Sequence, residues 1–315
     1  MLRRFVLPLF TLLAVAAVIY AVLFTVLVKW ERDGVPLVYR LGGALNQKGG
    51  NSWQKFQEYD PHAPVDLLFI GSSHAYRGYD PRIFARHGNT SFNLGTSAQS
   101  PLNTRAIIRH VVDPKAVKLL VIDVYEGAFA TDGLESTADL TQNCSSDAAA
   151  TEMVWHLKDP RGLNMLALRH LRRDAPAMYR DSAYVEAGFS QRTDSLKTVA
   201  HTAPMPPVQS AQRRHFQAML KQCHARSMRV VLVDHPKPST ADRERHAQWA
   251  EWVRTEAEHY GIPFIDLAFD HGLPIHDLHH FYDHNHLNQA GVELFNARLI
   301  DELERRGLLG PSSAR

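Results

Sequence analysis

Five short apolar runs recur through the chain, at 65–70, 91–94, 118–124, 228–234 and 263–267, with helical patterns between several of them at 101–112, 209–226 and 240–259. Runs this short and this continuously apolar read as strands buried on both faces. Strands alternating with helices need crossover connections, so the sheet must be parallel and covered by helices. The expected fold class is α/β, a three-layer α/β/α domain. A last helix is expected after Asn288, a good N-cap, with Val292, Phe295, Leu299, Ile300 and Leu303 at helical spacing until Gly307. The first run, Val65 to Ile70, breaks into Gly71, Ser72 and Ser73 before an amphipathic segment, the pattern of strand, tight turn and helix. Ligands of an open parallel sheet bind beyond the carboxyl ends of its strands, which is where Ser73 falls.

A serine hydroxyl is a weak nucleophile until a base lies within hydrogen-bond reach and a third group orients that base. Asp283 and His286, three residues apart, can lie side by side, the carboxylate on one imidazole nitrogen and the other nitrogen toward Ser73. Asp277 and His280 repeat the spacing six residues earlier, within a cluster that also holds His271, His276, His279 and His284. A metal site is the competing reading of that cluster, since imidazole and carboxylate suit zinc. It lacks the HExxH spacing of a helical zinc site, and the reading adopted is no metal and no cofactor. His235, in VDHPKP after the fourth run, and Arg77, four residues beyond Ser73, are candidate substrate contacts.

These residues resemble the SGNH, or GDSL-like, hydrolase superfamily: Gly71-Ser72-Ser73 at the first turn, Asn93-Leu94-Gly95 at the end of the second run, and Asp283-x-x-His286 near the C-terminus. The resemblance implies an SGNH/flavodoxin-like sheet, Ser73, Asp283 and His286 as catalytic residues, and the N–H groups of Ser73 and Gly95 as oxyanion donors. Two departures qualify it. Ser72 stands where the family usually has Asp, which moves the likeness toward membrane-anchored members that O-acylate cell-envelope polysaccharides. After LLVIDVYEGAF there is no Gly-x-Asn-Asp, so Tyr125 or Glu126 stands where the family's side-chain oxyanion donor would be, and Tyr125 is a candidate substrate contact.

The chain of 315 residues is 45% hydrophobic and 22% charged, the balance of a globular protein, and a formal net charge of +2 gives no electrostatic footprint for nucleic acid. Cys144 and Cys223 lie far apart, without CxxC spacing. Phe5 to Val28 is 24 residues without a charge, above the roughly 20 that cross a bilayer. It is longer than the core of a signal peptide, which remains the alternative. Arg3 and Arg4 favour a cytoplasmic N-terminus; Lys29 and Arg32 weaken the count, and orientation leans on the resemblance.

The expected layout is a transmembrane anchor over 1–30, a stalk over 31–64, and a catalytic domain over 65–310 with a helical insertion or lid at 128–208. The expected function is a single-pass inner-membrane serine O-acyltransferase with its domain in the periplasm. It would carry an acetyl or other acyl group to a glycan, and the resemblance implies a multi-span membrane acyltransferase as donor. An esterase or deacylase with the same triad, and a non-catalytic polysaccharide scaffold on a degenerate fold, are the alternatives.

Overall fold

The computed structural model describes residues 2–41, 45–199, 205–270 and 272–310. Its centre is a parallel sheet of β3 (Val65–Ile70), β4 (Ser91–Asn93), β5 (Val117–Asp123), β6 (Val230–Asp234) and β7 (Phe264–Asp266) in the order β4-β3-β5-β6-β7. In register, Phe69 faces Asn93 on one side and Val121 on the other, and Val121 faces Val231. Side chains of a strand alternate between faces, and the alternation divides the core in two. Leu68, Ile70, Leu120, Ile122 and Leu232 pack with Ile107, Phe216 and Trp249, from α5 (Pro101–His110), α9 (Ser210–Ala225) and α10 (Arg243–Glu258). Leu67, Phe69, Leu119, Val121 and Val233 pack with Phe84 of α4 (Pro81–Arg86) and with Phe295 and Leu299 of α12 (Gln289–Arg305). These are the three layers expected. Asn288 caps α12 by accepting from the Gly291 N–H at 3.1 Å.

The chain order reverses direction across the sheet between β3 and β5, the switch point at which doubly wound sheets open a crevice. The chain reaches α3 (Ser73–Gly78) three residues after β3 ends and Tyr125 two residues after β5 ends, so both arrive at that crevice.

Residues 31–64 do not form a free stalk. After a small hairpin of β1 (Glu31–Arg32) and β2 (Val35–Pro36), α2 (Gly50–Glu58) lies on the domain, with Phe56 and Tyr59 in the core and Lys55 fully buried. The weak periodicity of this segment concealed it, because a short helix that buries Ser52 and Lys55 beside Phe56 has no clean apolar stripe.

Within 128–208, α6 (Leu134–Asn143), α7 (Asp147–Leu157) and α8 (Arg161–Leu171) join through Ala138, Val154 and Met165. The chain then returns across the edge strand, where Ala187 O accepts from Asn93 N at 2.9 Å and Ser190 N donates to Tyr76 O at 3.0 Å. Phe189 enters the second core, and Leu196 N donates to Phe281 O at 2.8 Å, beside the loop that carries Asp283. Cys144 and Cys223 are both free and buried.

Candidate active site

The apolar run of β3 ends where Gly71 takes φ 152°, and a Cβ there would come within 2.8 Å of Asp123 Cβ on the adjacent strand. Only glycine lets the turn pass so close to β5. Ser72 is structural: buried, it caps α3 by accepting from His74 N at 3.3 Å. Ser73, one residue on, projects its hydroxyl to His286 Nε2 at 2.7 Å.

His286 Nδ1 lies 3.0 Å from both carboxylate oxygens of Asp283. Asp283 Oδ1 also accepts from the N–H groups of Asn285 at 2.9 Å and His286 at 2.8 Å. Partial burial works against the charge on Asp283, but the hydrogen bonds and the imidazole outweigh it and hold its pKa below the usual carboxylate range. An ionised Asp283 fixes the proton on Nδ1, which leaves Nε2 free to accept from Ser73. This arrangement can deprotonate a serine as it attacks an acyl carbon.

The second Asp-x-x-His pair is directed elsewhere. Asp277 accepts from Ser239 N at 3.0 Å, and His280 Nδ1 accepts from His276 N at 2.8 Å. His271 lies outside the described residues. Among the described residues the one set of grouped metal-type ligands is Asp234, His246 and Asp266. Lys237 Nζ stands 3.2 Å from Asp234 Oδ2 and 2.8 Å from His246 Nδ1, so a side-chain ammonium already supplies the positive charge.

Three expected contacts are placed differently. The Gly95 N–H donates to Asn93 Oδ1 at 3.0 Å and is not directed at an oxyanion; what requires glycine is close approach, since a Cβ would meet Ala75 Cβ at 2.6 Å. Lys55 Nζ donates to Gly95 O, which ties α2 to the nucleophile turn. His235 is buried with its ring centroid 4.0 Å from that of His74, below the surface a substrate would reach. Tyr125 packs on His74 at 3.7 Å and joins its hydroxyl to the Asn285 amide, 2.9 Å from Nδ2. Burial pushes the Tyr125 phenol up to about 12, so it acts as a neutral hydrogen-bonding group. Glu126 is no solvated carboxylate: it is buried and paired with Arg245 at 2.5 Å. Arg77 does reach the site's edge, its guanidinium 5.2 Å from the Tyr282 ring centroid, and Tyr282 stacks on His286 at 5.5 Å.

His74 carried no spacing signal in the sequence, yet it supports the site. Its ring lies between Tyr125 and His286, 4.5 Å from the latter, and its Nε2–H donates to Asn285 O at 2.9 Å, inside the Asp283–His286 turn. Burial, and then the neighbouring His235 and His286, push the His74 pKa well below its usual value. The ring is therefore neutral, with Nδ1 left to accept from Ser72 Oγ at 3.3 Å.

Beneath it, burial and then the adjacent Asp234 raise Asp123 to about 8. Its Oδ2 accepts from Tyr79 at 3.0 Å and lies 3.6 Å from His235 Nδ1, a contact between neutral groups because burial also holds His235 unprotonated. The folded chain keeps a proton that an unfolded aspartate releases near 4. Stability from this group is thus full below about 4 and is lost as pH rises toward about 8. Asp123→Asn should flatten that decline: urea unfolding at about pH 5 and about pH 9 is expected to show the variant gaining on wild type at the higher pH. An equal difference at both would contradict it.

Residues 194–294, which carry α9, α10 and the first turns of α12 together with Asp283 and His286, match the family model of the GDSL-like Lipase/Acylhydrolase family. Over this range the chain resembles the GDSL-like lipases and acylhydrolases. Ser73 precedes the matched range, and the fold brings it to the matched histidine. No curated protein matches by sequence. Among solved structures, the chain is similar to an acetylxylan esterase catalytic mutant from Geobacillus stearothermophilus (13% identity, TM-score 0.44, 80% of this chain and 98% of that one). It is similar also to the lipase/acylhydrolase from Enterococcus faecalis (13% identity, TM-score 0.41, 79% and 100%). With the Ser73–His286–Asp283 geometry, this match makes the chain a serine enzyme of the acylhydrolase type.

Proposed function

We propose that this protein is a membrane-anchored serine O-acyltransferase that acylates an extracytoplasmic glycan. The observation that carries the chemistry is the 2.7 Å contact of Ser73 Oγ with His286 Nε2. Ser73 Oγ attacks the carbonyl carbon of an acyl donor while His286 takes its proton; Asp283 stabilises the imidazolium. The Ser73 N–H, at the first position of α3, is not used by an intrahelical bond and is the donor for the oxyanion. His286 returns its proton to the leaving group as the ester bond to the donor breaks, which leaves an acyl-serine. A sugar hydroxyl then attacks, its proton passing to His286, and Ser73 is released.

Transfer in place of hydrolysis needs a site that orients a sugar hydroxyl against the acyl-enzyme. A polar cavity of about 490 Å³ suits that task, lined by Asn51, Ser97, Arg77, Glu135, Tyr179 and Asp181. The amide, hydroxyl, carboxylate and guanidinium groups of this lining can both donate to and accept from saccharide hydroxyls. An apolar helix α1 (Leu2–Lys29), of mean hydropathy 2.7 over Val6–Lys29, supports a membrane anchor; in this reading the membrane is the inner one, the domain is periplasmic and a multi-span membrane acyltransferase is the acyl donor.

The test supplies a chromogenic acetyl ester with and without glycan oligomers and follows free acetate and acetylated sugar together. Acetylated sugar should dominate with a suitable acceptor. Rapid turnover that gives acetate alone, with every glycan tried, would leave an esterase.

A further inference from the structure

The last third of α1 is held along α8 at three successive levels. Tyr20 OH donates to Asn164 Oδ1 at 2.9 Å; Phe24 and Val28 are buried with Leu168; Arg172 pairs with Glu31 at 3.2 Å. As the residue number rises by eight in α8 it rises by eleven in α1, so the two helices run side by side in the same direction. The N-terminal end of α8 therefore points back toward the apolar end of α1.

Simple lengths then place that end. At 1.5 Å per residue, the uncharged part of α1 from Phe5 to Tyr20 covers about 24 Å of the roughly 30 Å of a hydrocarbon core. Arg3 and Arg4 flank one end of this stretch in the sequence, and a tyrosine at the other is a usual interfacial residue. Nine further residues, about 14 Å, carry α1 on to Lys29. Beside Tyr20, α8 exposes Leu163, 69% accessible, and the turn before it carries Lys158, Asp159 and Arg161. A large apolar side chain with charged neighbours at the level of a bilayer boundary is the composition of an interfacial helix end. Arg161 is already neutralised by Asp159 at 2.5 Å, and long basic stems can extend to the headgroups.

We infer that the N-terminal end of α8, centred on Leu163, inserts into the headgroup–acyl boundary of the membrane that α1 crosses, and that α1 leaves the hydrocarbon core near Tyr20 and not at Lys29. Residues 21–29 then stand above the hydrocarbon core as a helical post that docks on α8 through Phe24 and Val28 and carries Val22, Leu23 and Val26 on its outer face, at headgroup level, which fixes the orientation of the domain to the lipid surface. The inference rests on α1 being a membrane span.

The full-length chain in lipid nanodiscs tests it. Single cysteines replace Leu163, His170 or Leu12, each carries a nitroxide, and wild type with its two buried cysteines is the labelling blank. Leu163 and His170 are exposed, so the substitutions leave the core intact. Relative to position 170, the label at 163 should gain collisions with oxygen and lose collisions with a water-soluble nickel chelate, and the label at 12 should do so more strongly. A label at 163 as open to the chelate as that at 170, with 12 protected, overturns the inference and leaves the span. A label at 163 shielded from both reagents also overturns it, since protein would then cover the site. If position 12 is open to the chelate as well, the span reading fails and the inference with it.

Discussion

Ser73→Ala is expected to reduce turnover of a chromogenic acetyl ester by about 10⁶, the loss that follows removal of the nucleophile from a serine triad. Stability should change little, because Ser73 is only partly buried and its hydroxyl is bonded to His286, whose orientation is held separately by Asp283. Adding His286→Ala should cost little more, since nucleophile and base act as one unit. The neighbouring serine provides the contrast. Ser72→Ala removes the α3 cap and should cost about 1 kcal/mol of stability with most of the rate retained. If Ser72→Ala loses the rate and Ser73→Ala keeps it, the nucleophile has been misassigned. If both keep it while the ester is turned over, the reaction uses neither.

The sheet was legible because parallel strands buried on both faces are mostly apolar, and the central stretches 67–70, 119–122 and 230–233 are of that kind. The Ser73, Asp283 and His286 grouping was legible through the family resemblance, together with the place of Ser73 at a strand end and of Asp283 and His286 just before a capped helix, since spacing alone fits Asp277 and His280 equally well. What escaped was whatever depends on the third dimension. His74 differs from a helix-face histidine only through the rings that enclose it, Tyr125, His235 and His286. Lys55 looks like a solvated charge until Gly95 O is found beside it. The Gly95 N–H was misread because backbone donors carry no sequence record of their acceptor, here the side chain two residues earlier. α2 was hidden for a related reason: half its buried face is polar, so its attachment is visible only as contacts with the domain.

Asp283→Asn should lower kcat by about 10³ to 10⁴ through the histidine's tautomer and not through loss of the loop. In the native turn, Oδ1 accepts from the N–H groups of Asn285 and His286, at 2.9 and 2.8 Å, while both oxygens stand 3.0 Å from His286 Nδ1. An asparagine that keeps the two backbone bonds with its carbonyl turns its NH₂ toward Nδ1. Two donors cannot face each other, so the imidazole proton moves to Nε2, against the Ser73 hydroxyl it must deprotonate. The pH profile separates this from a charge effect at the working pH. The Asp283 carboxyl is held below the usual range, so it does not titrate near neutrality, and the deficit should stay constant from about pH 6 to about pH 9. In stability the sign is that of a depressed acid: the wild-type advantage is present above the unfolded aspartate pKa near 4 and is lost as pH falls from there through the lower pKa of the folded state. Measured kcat across that pH range, together with unfolding of both proteins at about pH 3 and about pH 7, checks each part. A deficit that vanishes at high pH, or a variant with wild-type kcat, would mean that Asp283 does not set the histidine's protonation.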